Sequence, residues 1–89
     1  MAVPYSSSPV FDETTLPAAL RREHRTKPGV WGLIRILEGS VQLRFPDPAL
    51  DRTLTPESPG IVLPEQPHFV EPLGPMRMQV DFYSEPPGI

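Results

Sequence analysis

The sequence has no cysteine, a single tryptophan, only two histidines and no long apolar run. Each shortage removes a class of function. Without cysteine there is no disulfide, no thiolate ligand and no cysteine nucleophile, although that absence fits any redox compartment. No stretch approaches the roughly 18 apolar residues that a membrane span needs. The opening Met1-Ala2-Val3-Pro4-Tyr5-Ser6-Ser7-Ser8 has neither the basic segment nor the apolar core of a secretory signal. A soluble, cytoplasmic protein is expected. The net charge is −3 and the eight Lys and Arg are scattered, apart from Arg21-Arg22-Glu23-His24-Arg25, so no nucleic-acid footprint is present. No strand runs into a glycine-rich loop of the kind that cradles a nucleotide cofactor, and no serine, histidine and acid stand at a recognisable catalytic spacing.

What is abundant is proline. Fourteen prolines and six glycines stay below the level of about 25–30% that marks a low-complexity chain. They fall between apolar runs, as in Phe45-Pro46-Asp47-Pro48, Thr55-Pro56-Glu57-Ser58-Pro59-Gly60 and Pro72-Leu73-Gly74-Pro75, which is punctuation for short strands. With 89 residues the chain makes one domain with a thin core. Such a domain without disulfides leans on a metal, a partner subunit or rigid loops for part of its stability.

Residues 1–9 are expected to be a flexible arm, 10–84 the domain and 85–89 a tail. Between 16 and 24 helix and extended strand are both open: Thr15 resembles an N-cap, Pro17 suits a first turn, and Leu16, Ala19 and Leu20 share one face. Val30 to Leu37 is apolar except at Gly32 and Arg35, which predicts a strand buried on both faces, one of them facing the interior and the other a second subunit. Glu38-Gly39 predicts a tight turn, with Val41, Leu43 and Phe45 alternating on the return strand of a hairpin. Arg52–Thr55, Gly60–Leu63, His68–Glu71 and Met76–Tyr83 follow as strands. In the last, Met76, Met78, Val80 and Phe82 alternate with Arg77, Gln79, Asp81 and Tyr83. Strands at this spacing indicate an all-β barrel or sandwich.

The stretch His24-Arg25-Thr26-Lys27-Pro28-Gly29-Val30-Trp31, the segment Leu37-Glu38-Gly39-Ser40-Val41, the turn Pro64-Glu65-Gln66-Pro67-His68 with Val70-Glu71, and the closing Val80-Asp81-Phe82-Tyr83 resemble the cupin-like domain of tellurite-resistance proteins. That domain occurs at the amino terminus of TehB-type methyltransferases and as small stand-alone bacterial proteins of unknown function. The resemblance covers about Phe11 to Tyr83. It implies a cupin-like double-stranded β-helix, a small jelly-roll barrel, often a homodimer and able to hold a metal. It does not imply methyl transfer. The chain departs from the usual cupin donor pattern: Thr26 stands where a second histidine would fall and Gly32 near the position of the glutamate, whereas His68 fits the later histidine.

The two histidines are thus the candidate ligands. Imidazoles from different strands can supply two donors to zinc, iron, nickel or manganese, with a carboxylate completing the set. Glu71 is the nearest carboxylate, but strict alternation from His68 puts it on the opposite face, so it joins only through a bulge. Asp81 is the second candidate. The competing reading makes both histidines structural, His24 at the end of a helical turn and His68 bonded to turn backbone. Trp31 reads as core or dimer packing, and Thr26 and Lys27 are candidates to contact an oxyanion. Three functions follow: a metal- or small-ligand-binding domain tied by resemblance to tellurite or oxyanion stress, a cupin-type metalloenzyme acting on a small substrate, or a dimerising interaction module using Trp31 and Leu33.

Overall fold

A computed structural model describes residues 2–88. Strands dominate: β1 (Ser6–Ser7), β2 (Phe11–Asp12), β3 (Trp31–Glu38), β4 (Val41–Pro46), β5 (Ala49–Leu54), β6 (Gly60–Val62), β7 (Phe69–Pro72) and β8 (Arg77–Tyr83). A single turn of 3-10 helix at Ala18–Arg21 is the only helix among the described residues. The all-β reading therefore holds. Among the described residues the strands form two antiparallel sheets and no closed barrel: a five-stranded sheet in the order β1-β8-β3-β6, with β2 also on β8, and a three-stranded sheet β5-β4-β7.

The hairpin expected across Glu38-Gly39 is not formed, because β3 and β4 lie in different sheets. β3 has β6 on one edge and β8 on the other, while β4 is flanked by β5 and β7, so neither has an edge left for the other. Gly39 makes the crossing feasible. Its φ is +74°, and any Cβ there would run into the Pro75 carbonyl oxygen and crowd Met76. The hairpin that does form joins β4 to β5 through Asp47-Pro48, with Pro46 opposite Ala49. Its second strand starts three residues before the expected Arg52.

Of residues 1–9, expected as an arm, Ser6 and Ser7 pair with Phe82 and Asp81, and further along Phe11 and Asp12 pair with Met78 and Arg77. Thr15 caps no helix. It closes a turn around Asp12, whose carboxylate accepts from the backbone N–H and hydroxyl groups of Thr14 and Thr15. The helical turn begins after Pro17 instead.

The alternation read in β8 is present. Met76 just before the strand, then Met78 and Val80, pack inward, while the outward Asp81 is only 5% exposed. Burial pushes the Asp81 carboxyl up, but hydrogen bonds from Arg35 and Ser7 outweigh it and hold the group below its ordinary value. The core fills the space between the sheets with Val41, Leu43, Leu54, Ile34, Ile36, Val62, Val70 and Met78.

Candidate functional site

His24 and His68 meet. They sit directly opposite each other in an isolated antiparallel bridge, exchanging both backbone hydrogen bonds at 2.9 Å. Residues paired in this way project their side chains to the same side. The two imidazole centroids are 4.1 Å apart, with the rings tilted by 57°.

Local sequence holds each ring. His68 follows a turn in which Gln66 N–H donates to the Leu63 carbonyl at 3.2 Å, with Pro64 next and Glu65 at φ 60°. Proline followed by a residue of positive φ is the type II pattern. Across the gap, Thr26 Oγ1 donates to the Val30 carbonyl at 2.8 Å and to that of Leu63 at 3.3 Å, and accepts from Glu65 N–H at 3.3 Å. Thr26, a candidate oxyanion contact from the sequence, thus staples the His24 segment to the His68 turn.

Each imidazole also bonds the carbonyl two residues before it, His24 Nδ1 to Arg22 at 3.0 Å and His68 Nδ1 to Gln66 at 2.8 Å. A carbonyl only accepts, so Nδ1 carries the proton in both rings and Nε2 of the neutral ring keeps its lone pair. Among the described residues neither Nε2 has a hydrogen-bond partner. His68 is 4% exposed, and burial, with some help from neighbouring His24 and against the Gln66 carbonyl, pulls its pKa down to about 4. It is a neutral imidazole near pH 7, an acceptor rather than a cation.

The carboxylates do not join the pair. Alternation along β7 sends Val70 inward and Glu71 outward, where Glu71 accepts from Arg44 Nε at 3.1 Å. Asp81 lies on the outer face of the large sheet, held by Arg35 Nε at 2.7 Å. Among the described residues no group of three or more His, Asp or Glu side chains is placed to hold a metal. The pair by itself supplies two nitrogens.

Both histidines line a cavity of about 520 Å³ between the sheets. Its wall comes from Gly32 and Ile34 of β3, Val62 of β6, Val70 of β7, and Met78, Val80 and Phe82 of β8, and Phe11, Leu20 and Tyr5 line it as well. Arg25 and Lys27 also border it. The sequence reading missed the contribution of Tyr5, because a residue in an expected arm carries no periodicity to mark it. The inward positions of β8 were signalled by alternation, and Gly32 by being the one apolar-strand position without a side chain.

The family model for the TehB-like domain matches residues 6–80. The chain belongs to the TehB-like domain family. That family is related to tellurite resistance proteins. Among solved structures, TehB from Haemophilus influenzae superposes with a TM-score of 0.82 at 29% identity, over 91% of this chain and 30% of that one. The chain thus spans 30% of the length of that relative. A protein from E. coli strain K12 superposes with a TM-score of 0.83 at 21% identity, over 97% of this chain and 93% of that chain, and shows the same fold. No curated protein matches the sequence. For the TehB-like domain, the cavity and its imidazole pair are the features with chemical capacity.

Proposed function

We propose that this TehB-like domain is a small-ligand-binding protein, with the cavity as its receptor and the His24–His68 pair as its polar anchor. The observation that carries this reading is an apolar-walled space of about 520 Å³ bordered by two imidazoles whose Nε2 atoms lack protein partners. Sites of this kind combine apolar walls with a few placed polar groups. Passage of the chain between the sheets after β3, β5, β6 and β7 supports assigning the fold to the cupin-like double-stranded β-helix. Family membership supports a role in tellurite or oxyanion stress.

The neutral dye Nile red tests the reading. Its emission should rise on binding to the protein and stay low with Gly32→Leu, which places a side chain in the cavity where a Cβ meets only ordinary contacts at 3.8 Å or more. Equal emission from the two proteins would remove the cavity as the binding site.

One observation favours a metal as the anchored group. A histidine that donates Nδ1–H to a backbone carbonyl is oriented to offer Nε2 as a ligand, and both rings here do so. Two nitrogens leave the remaining positions of zinc, iron, nickel or manganese to exogenous donors. Metal analysis of untagged protein purified without chelator, beside His24→Ala and His68→Ala, decides it. Stoichiometric metal lost in both variants supports the assignment; metal retained by the double variant rejects it.

A further inference from the structure

The charged groups around the cavity are of one sign. The chain holds eleven Asp and Glu against eight Lys and Arg. Yet the cavity is bordered by Arg25 and Lys27 and by no acidic side chain. Neither cation is strongly engaged elsewhere. Arg25 reaches Glu23 only at 4.0 Å with both side chains more than half exposed, and among the described residues Lys27 forms no ion pair. The local excess of positive charge runs against the net charge of −3.

We infer that the ligand is an amphipathic anion, whose apolar body lies against Val62, Val80 and Phe82 and whose negatively charged head is held by Arg25 and Lys27. The inference rests on the ligand-binding reading and adds the charge of the ligand to it. His68 does not take the head itself: with Nδ1–H donated to the Gln66 carbonyl, its neutral ring presents only a lone pair at Nε2, which repels an anionic oxygen. Guanidinium and ammonium groups donate to such oxygens by charge-assisted hydrogen bonds, roughly twice as strong as neutral ones. An apolar wall with a cationic rim therefore selects by charge as well as by shape.

Calorimetric titration of the full chain with decanoate, decanol and decylammonium, each kept below its aggregation concentration, separates the terms. Chain length is constant and only the head changes. Decanoate should bind roughly tenfold more tightly than decanol and decylammonium more weakly than either, with the gap narrowing at high salt as exposed charges are screened. The double substitution Arg25→Gln with Lys27→Gln should bring decanoate to within about twofold of decanol. Both residues are exposed and outside the core, and circular dichroism verifies that the fold persists. Equal binding of decanoate and decanol, or an undiminished preference in the double variant, overturns the anion assignment and leaves the cavity as a receptor. Absence of binding by all three probes overturns the receptor reading and the anion assignment with it.

Discussion

The space between the two sheets is divided into a packed end and a hollow end, though the same strands line both. At the packed end Ile36, Met76 and Met78 interlock with Val41, Leu43 and Leu54, and Leu43, Leu54 and Met78 have no exposed surface at all. At the hollow end Gly32 offers no side chain, Val80 and Phe82 are half-buried, and the gap is left open to the histidine pair. Ile34, Val62, Val70 and Met78 belong to both. Stability concentrated at one end allows the other to stay unfilled, since a thin core cannot be close-packed throughout and also keep a binding site.

The largest effect expected from breaking this division lies at the packed end. Leu43→Ala should cost about 2–5 kcal/mol, because the side chain is fully enclosed and its neighbours cannot all collapse into the space. Phe82→Ala, which removes a larger side chain from the hollow end, should cost under about 2 kcal/mol, since that ring is only half-buried. Urea denaturation of both variants measures the contrast. A Phe82→Ala loss as large as that of Leu43→Ala would show that the hollow end is part of the stabilising core.

The next effect is a pH dependence seated at the hollow end. His68 has its pKa lowered from 6.5 to about 4, so below 6.5 the unfolded chain takes up a proton that the folded chain refuses. Stability is complete above 6.5 and falls as the pH drops toward 4, below which this group adds no further loss. Integrated over that window, and discounted for solvent reaching the cavity, the loss is roughly 2–3 kcal/mol. Urea midpoints across the window should therefore slope in the wild type and flatten in His68→Gln. A slope surviving the substitution would assign the proton to another group.

How much of this division was legible in the sequence depends on which signal each residue carries. Alternation gave the inward set of β8 and placed Glu71 opposite His68, because a two-residue period is a local property. The partner of a strand is not local. Val41, Leu43 and Phe45 after Glu38-Gly39 look the same whether the chain folds back beside β3 or crosses to another sheet, and only the occupied edges of β3 distinguish the two. Pro46 and Pro48 read as the end of a strand, yet Ala49 to Leu54 continue the ladder beyond them. The meeting of His24 with His68 likewise required the turn at Glu65 and the Thr26 staple, neither of which has a periodic signature.

The smallest effect, and the most selective, compares two glycines facing the interior. A Cβ on Gly60 would stand 2.9 Å from Leu43 Cδ2 and from Leu54 Cδ1, so Gly60→Ala must push side chains that have no free space. Overpacking of that kind should cost about 1–3 kcal/mol. A Cβ on Gly32 meets Thr26, Val62 and Val80 at 3.8–3.9 Å, which is ordinary contact, and φ there is not in the left-handed region. Gly32→Ala restricts the unfolded chain without straining the folded one, and should be neutral to about 1 kcal/mol stabilising. The same chemical change, one methyl group on a strand glycine, thus takes opposite signs at the two ends. Urea midpoints of the two variants give those signs directly, and a comparable loss at Gly32 would mean that the hollow end is as tightly packed as its counterpart, leaving no room for a ligand.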